Sequence, residues 1–139
     1  MHIGISAGTS RMALAAIFVV AGVLHFAITE TYVRVMPPYL PWPRELVMVS
    51  GVCQLAGGVG LCVPRLRRAA GWGLVLLLVA VWPANLQMYT DARASGGAAW
   101  RETLLLLRLP LQLVLIVWVW KAAGLGRRSR SPGTMDGSD

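Results

Sequence analysis

The sequence contains little charge for its length. Charged residues make up 14% of the 139 residues and only six are acidic, whereas an average soluble domain is roughly a quarter charged. Hydrophobic residues make up 56%. A soluble domain of this size needs more polar surface than this to cover its core. The composition therefore argues against a soluble globular domain, a coiled coil and a disordered chain, and it favours a membrane protein.

The sequence is also poor in the residues that build metal and redox sites. Its only histidines are His2 and His25, and its only cysteines are Cys53 and Cys62. The two cysteines would lie on opposite faces of one helix, roughly 13 Å apart, so no disulfide between them is expected. No nucleophile–base pair, phosphate-binding loop or nucleotide motif is present. We therefore expect no catalytic residues and no metal site in the chain.

Basic residues outnumber acidic ones, and the net charge is +7. Twelve of the thirteen basic residues are arginines, and they separate long apolar runs rather than covering one polar face. Nucleic-acid binding, which needs such a face, is therefore not expected.

Four apolar stretches follow one another along the chain, each of about the 20 residues that a helix needs to cross ~30 Å of hydrocarbon. They are residues 11–29, 46–63, 69–89 and 103–120. Barrel strands would be half as long and alternate in polarity. The sequence therefore predicts an all-α integral membrane four-helix bundle over residues 1–121, followed by a disordered, basic cytoplasmic tail over residues 122–139.

The distribution of basic residues predicts the orientation. Four spans place both termini on one side of the membrane. That side would hold eight basic residues, namely Arg11, Arg65, Arg67, Arg68, Lys121, Arg127, Arg128 and Arg130. The other side would hold four, Arg34, Arg44, Arg93 and Arg101. By the positive-inside rule both termini are expected in the cytoplasm, as in a multi-pass protein of the bacterial cytoplasmic membrane.

The loop between the first two spans is rich in proline and apolar. Four prolines fall between residues 37 and 43, and proline fixes φ and lacks a donor, so the loop is predicted to be stiff and non-helical. Its apolar side chains favour a position on the membrane surface. We expect the loop from Met36 to Pro43, with Pro38, Tyr39 and Trp42, to cap the outer end of the bundle.

Polar side chains interrupt all four spans, in the half of the membrane nearer that loop. They are His25, Gln54, Asn85, Arg108 and Gln112. Polar groups within the membrane are costly, so each needs a reason. Pro83 and Pro110 lie within two residues of this set and deprive the carbonyls of Val79 and Leu106 of their usual partners. Together these features predict an outward-opening polar pocket that binds a ligand.

Each of these residues also has a structural interpretation. Arg108 can extend to the membrane surface along its own side chain. His25 can be a neutral hydrogen-bonding residue between helices, and Gln54, Asn85 and Gln112 can join helices in the same way. The ligand-site hypothesis depends on co-location in four different helices: His25, Asn85 and Arg108 at one depth, with Gln54 and Gln112 deeper, near mid-membrane.

Several short strings resemble the DoxX family of small four-helix bacterial membrane proteins. They are AGVLHF, MPPYLPWP, SGVCQLAGGVGL followed by CVPRLRR, WPANLQMY and LRLPLQ, and the resemblance covers about residues 12–121. It implies a four-helix bundle in the cytoplasmic membrane. The family takes its name from a relative of a thiosulfate:quinone oxidoreductase subunit, although most members have no established activity. The family often has Glu where this chain has Gln54, so a proton-transfer role of that carboxylate is not carried over.

Three functions are compatible with these observations. The chain can be a redox-associated membrane subunit that binds a quinone or similar amphiphile through His25, Gln54 and Arg108. It can bind or transport a small anion or acid, with Arg108 as the counter-charge. It can also be a structural partner of other membrane or redox proteins, without chemistry of its own. The chain is too short to add a soluble catalytic domain to the bundle, so catalysis by the chain alone is not expected.

Overall fold

The protein is an all-α membrane bundle. Its structure, a computed structural model, describes residues 6–127, within which there are helices and no strand. The helices are α1 (Ala7–Ala27), α2 (Thr29–Arg34), α3 (Pro43–Cys62), α4 (Arg67–Ala94) and α5 (Ala99–Ala122). All but α2 are long and apolar enough to cross a membrane. The predicted four-helix membrane fold is confirmed.

The four long helices run alternately up and down. Helix α1 packs mainly on α3, α3 on α4 and α4 on α5, while α1 and α5 make little contact with each other. The indole of Trp118, near the end of α5, donates a hydrogen bond to the hydroxyl of Ser10, near the start of α1. The first and last helices therefore meet at one end of the bundle, which we call the terminal end. The opposite end, with α2 and the proline-rich loop, is the loop end.

The terminal end contains the packed apolar core. Its buried members come from all four long helices and the chain just after them: Leu14, Phe18, Leu61, Leu74, Val75, Val119, Ala123 and Leu125. On the outside, large apolar side chains such as Val52, Leu76 and Leu111 are more than half exposed, whereas Asn85 and Gln112 are buried within the bundle. An apolar exterior around polar interior groups is the arrangement expected of a protein that faces lipid.

Glycines allow α1 and α3 to cross closely toward the loop end. A Cβ added at Gly22 would lie 2.9 Å from the backbone oxygen of Gly51. One added at Gly51 would lie 2.9 Å from the Cβ of His25 and 2.8 Å from the ring of Phe26. No other residue type fits this crossing without displacement of a neighbour, so the two glycines fix the position of His25 relative to α3.

Helix α1 ends two residues earlier than expected, and the side chain that follows binds its last carbonyls. The hydroxyl of Thr29 donates to the carbonyl of His25 over 2.7 Å and to that of Phe26 over 3.1 Å. Hydroxyls that bind carbonyls three or four residues back compete with the helix ladder. Ile28 then leaves the helical region, and the chain continues as α2, a short helix that was not predicted.

Helix α4 extends beyond the predicted span at its loop end. Its last residues, after Tyr89, are polar, but they form side-chain bonds at helical spacing. Gln87 donates to Asp91 over 2.9 Å, and Arg93 donates to Tyr89 over 3.2 Å. Such pairs stabilise a helix beyond the apolar stretch that identifies it in the sequence.

The packed bundle continues past residue 121, where the disordered tail was expected to begin. Gly124 has φ +69 and lets the chain turn back, and the amide of Leu125 donates to the carbonyl of Trp120 over 3.1 Å. Leu125 is thereby buried against the core. This is a glycine-based helix stop with its apolar contact. The remainder of the expected tail, residues 128–139, lies outside the described residues.

Candidate functional site

Two cavities lie between the packed core and the loop end. The first has a volume of about 170 Å³ and is lined from all four long helices. Its lining includes the five polar residues predicted from the sequence: His25, Gln54, Asn85, Arg108 and Gln112. The structure therefore brings all five together. The other lining groups are mostly apolar, among them Ile17, Leu78 and Leu115.

The second cavity adjoins the first on the side of the loop. It has a volume of about 340 Å³. Both cavities are lined by His25, Tyr32, Leu77, Val81, Asn85 and Arg108, so they are neighbouring parts of one space, which we call the loop-end pocket. Its size and its apolar walls with a few polar groups are those of a site for a small amphiphilic molecule.

Two contacts, a hydrogen bond and a stacked ring, fix the position of the His25 ring. Its Nδ1 lies 2.7 Å from the backbone oxygen of Ala21. A carbonyl oxygen only accepts hydrogen bonds, so Nδ1 carries the proton and donates. The ring also stacks on Tyr32 of α2, with centroids 4.2 Å apart and planes at 15°. Only Nε2 remains available for another partner.

Asn85 and Gln112 form a buried bridge between α4 and α5. The Nδ2 of Asn85 donates to Oε1 of Gln112 over 2.8 Å, and Nε2 of Gln112 donates to the backbone oxygen of Leu78. The sequence predicted that Pro83 frees the carbonyl of Val79 for another partner, and the structure places the Gln112 amide on the carbonyl one residue earlier. The interpretation of these two residues as contacts between helices thus has a direct structural basis, while both also line the pocket.

Gln54 contributes the most unusual polar group of the site. Its Oε1 is buried and has no hydrogen-bond partner in the structure. An acceptor buried without a partner costs free energy of about 1–3 kcal/mol. A polar group of this kind on the wall of a cavity is accounted for if a molecule in the cavity donates to it.

Arg108 lies at the rim of the pocket. The residue is exposed, yet it lines both cavities beside His25 and Asn85. Within residues 6–127 its guanidinium has neither an ion pair nor a hydrogen bond. Arg108 is therefore on the same side of the bundle as the other polar residues, and its side chain is both exposed and part of the pocket lining.

The loop that was expected to cap the bundle borders the pocket, through residues other than Pro38, Tyr39 and Trp42. Pro38, Tyr39 and Trp42 are exposed, with 63% of Tyr39 and 72% of Trp42 accessible, and they do not line either cavity. Met36 and Leu40 line the second cavity instead. At Leu40 the chain turns with its amide bonded to the carbonyl of Pro37 over 3.1 Å, and Leu40 is half-buried while Tyr39 and Trp42 are exposed.

Tyr32 is the main site residue that the sequence analysis missed. It lies seven residues after His25, which equals two helical turns. That spacing was an available signal, but the apolar run that marked the first span ended before it. Helix α2 restores the spacing after the break at Ile28 and places the two rings against each other.

The site offers hydrogen bonds and one cation rather than metal ligands. Within residues 6–127 no group of three or more His, Cys, Asp or Glu side chains could hold a metal ion. Cys53 and Cys62 are free and exposed on the outside of α3. The arrangement can bind and orient a polar headgroup at the entrance to an apolar cavity.

The chain belongs to a family described as a domain of unknown function (DUF8561), whose model matches residues 14–123. The match begins within α1, continues to the end of α5 and includes every residue of the candidate site. No curated protein and no solved structure gives a significant match to the chain.

Proposed function

We propose that this family member binds a quinone or a similar amphiphile in the loop-end pocket. One observation carries the proposal: His25, Gln54, Asn85, Arg108 and Gln112, from four different helices, line one cavity whose remaining walls are apolar. The polar groups would hold the headgroup, and the apolar walls would hold the ring and the start of the tail.

The resemblance to the DoxX family supports a redox-associated role. On this proposal the protein is a membrane subunit that acts with a redox partner protein and supplies the quinone site. The excess of basic residues at the terminal end supports a location in the bacterial cytoplasmic membrane, with the terminal end in the cytoplasm and the pocket toward the outer face.

A second function is favoured by Arg108. A guanidinium that has no acidic partner among the described residues and lies at the mouth of a cavity suits the carboxylate of a small acid or another anion. On this alternative the pocket binds or transports an acid, and the neutral quinone is not its ligand.

A cavity-filling substitution tests whether the pocket is the binding site. Ala84 lines the second cavity, so Ala84→Leu fills space there and removes no polar group. Ala56 is exposed on α3 and lines neither cavity, so Ala56→Leu is the matched control. Binding of a short-chain benzoquinone to protein in lipid nanodiscs is measured by quenching of tryptophan fluorescence.

We expect saturable binding that Ala84→Leu weakens by at least about tenfold and Ala56→Leu leaves unchanged. Equal loss in both variants, or in neither, would show that the quinone does not occupy this pocket. If quinones do not bind but an aliphatic carboxylic acid does, with a dependence on Arg108, the acid-binding alternative is the correct one. If neither binds, the structural role remains.

A further inference from the structure

We infer that the ligand of the loop-end pocket presents hydroxyl groups, and that within the quinone class the pocket selects the reduced hydroquinone. This inference rests on the proposed function and adds the hydrogen-bond polarity of the ligand. It follows from two backbone carbonyls, at Leu78 and Ala21, which fix the orientation of the side chains that bind them.

The carbonyl of Leu78 determines how the side-chain amide of Gln112 is oriented, and Gln112 in turn determines the orientation of the Asn85 amide. The backbone oxygen of Leu78 only accepts, so the group of Gln112 that contacts it is the NH₂ group. The oxygen of Gln112 is then the atom that Asn85 meets, and Asn85 must present its own NH₂ group there. The remaining polar atom of Asn85 is its carbonyl oxygen, Oδ1, which accepts none of the hydrogen bonds within the described residues. Asn85 therefore offers the pocket an acceptor.

The carbonyl of Ala21 determines which ring nitrogen of His25 carries a proton. Because Nδ1 donates to Ala21, an imidazole that carries a single proton has it on Nδ1 and presents a lone pair on Nε2. Stacking on Tyr32 limits rotation of the ring. His25 therefore offers a second acceptor.

Gln54 adds the third. The atom of its side chain that is buried without a partner is the oxygen Oε1. Three residues that line the first cavity, on α1, α3 and α4, thus offer acceptors to whatever fills it. A ligand satisfies them only if it carries hydrogen-bond donors.

This polarity discriminates between the two redox forms of a quinone. A quinone carbonyl has lone pairs only, so its oxygens would oppose the acceptors of the pocket and leave them unsatisfied. A hydroquinone has the same ring with two O–H groups, which donate to the acceptors. Its oxygens still accept, so Arg108 at the rim can donate to one of them.

Polyol headgroups of membrane lipids share this chemistry. The glycerol headgroup of phosphatidylglycerol has two hydroxyls and a phosphate, which match the acceptors and Arg108. The test must therefore separate a hydroquinone from a lipid as the source of the hydroxyls.

The experiment compares three probes on the same ring: a decyl-benzohydroquinone under anaerobic conditions, its quinone, and its dimethyl ether, which lacks O–H groups. Binding to the full chain is measured in phosphatidylcholine nanodiscs by tryptophan quenching. A buried acceptor that is left without a donor typically lowers the affinity by about a factor of ten. We expect the hydroquinone to bind at least about tenfold more tightly than either of the others.

Variants connect this preference to the named acceptors. Gln54→Met keeps the shape of the side chain and removes the buried oxygen, and it should reduce the preference for the hydroquinone while quinone binding stays the same or improves. Gln87→Met is the matched control, because Gln87 lies on α4 near the pocket but lines neither cavity. This control should keep the full preference, with a melting temperature lowered only slightly by the loss of its exposed bond to Asp91.

Each outcome decides between the two proposals. Equal or tighter binding of the quinone or the ether overturns the hydroxyl inference and leaves the proposed quinone site intact. Competition by added phosphatidylglycerol, together with its retention in purified protein, supports the hydroxyl chemistry and assigns it to a lipid. If none of the three probes binds and no hydroxyl-bearing lipid is retained, both the inference and the proposed function are wrong.

Discussion

The amide nitrogen of Asn85 donates to the side-chain oxygen of Gln112 over 2.8 Å and joins α4 to α5 inside the membrane-spanning bundle. The amide nitrogen of Gln112 in turn donates to the backbone oxygen of Leu78. This carbonyl is close to the position where Pro83 removes a backbone donor from α4. Asn85 lies about nine residues from the loop end of α4, and Arg108 lies about nine residues from the loop end of α5. The bridge therefore stabilises the pair of helices at the level of the pocket.

A double-mutant cycle on Asn85 and Gln112 should show coupling. Asn85→Ala leaves the oxygen of Gln112 unpaired, and Gln112→Ala leaves the side-chain NH₂ group of Asn85 unpaired, so each should lower the free energy of unfolding. Couplings of this kind between membrane helices are about 0.6–1.7 kcal/mol. The measurement is reversible unfolding in mixed detergent micelles.

The pair Gln87 and Asp91 supplies the control for that cycle. Their hydrogen bond, of 2.9 Å, lies on the exposed surface of a single helix, where such pairs contribute about 0.2–0.5 kcal/mol. Coupling of Asn85 with Gln112 that does not exceed this control would mean that the buried bridge does not hold α4 and α5 together.

The crossing of α1 and α3 should be sensitive to a single methyl group. Gly51→Ala places a Cβ 2.8 Å from the ring of Phe26 and 2.9 Å from the Cβ of His25, so the helices must separate. We expect destabilisation of about 1–3 kcal/mol and weaker ligand binding, because His25 is displaced. Thermal unfolding in detergent measures the first effect.

Gly73→Ala is the matched control for the crossing. It lies on α4 with nothing within 4 Å of the added Cβ, and alanine is the better helix former by up to about 1 kcal/mol. Stability should therefore be unchanged or raised. A Gly51→Ala protein as stable as Gly73→Ala would refute the close crossing.

The sequence predicted the four spans and the polar lining because both depend on composition along a helix. A run of about 20 apolar residues identifies a membrane helix without tertiary information. A costly polar group within that run must face protein or a cavity, which is why His25, Gln54, Asn85, Arg108 and Gln112 could be expected together. The structure brings these five residues to one cavity.

The features that were missed depend on backbone geometry. At the break at Ile28 the hydroxyl of Thr29 binds two carbonyls, and a hydropathy pattern carries no information about such bonds. The loop from Met36 to Pro43 was expected at the pocket, but the choice of Met36 and Leu40 rather than Tyr39 and Trp42 as lining residues depends on the turn of the loop. The packing of Leu125 does have a sequence signal, because glycine followed by a large apolar residue marks a helix stop.

Topology can be tested by labelling single cysteines in cells. Cys53 and Cys62 are replaced by alanine, and one new cysteine is introduced at Asp91, at the loop end, or at Gly133, in the tail. The excess of basic residues at the terminal end predicts that a membrane-impermeant maleimide labels Asp91→Cys from outside and does not label Gly133→Cys. Labelling of both sites after permeabilisation is the control. The reverse pattern in intact cells would place the pocket toward the cytoplasm.

The substitution Arg108→Leu separates a ligand site from a structural one. It removes a charge from an apolar helix, and the described residues provide that charge with no partner, so the melting temperature should be unchanged or higher. Binding of the pocket's ligand should weaken by about tenfold or more, because hydrogen bonds from a charged donor are the strongest that the site offers. Arg108→Lys should recover part of the affinity.

Arg93→Leu is the control, since Arg93 lies at the loop end of α4, bonds to Tyr89 and lines neither cavity. A residue that only extends to the membrane surface would give the same result in both leucine variants. If Arg108→Leu binds as the wild type does, the guanidinium has no part in the site, and the pocket must be explained by His25, Gln54 and Asn85 alone.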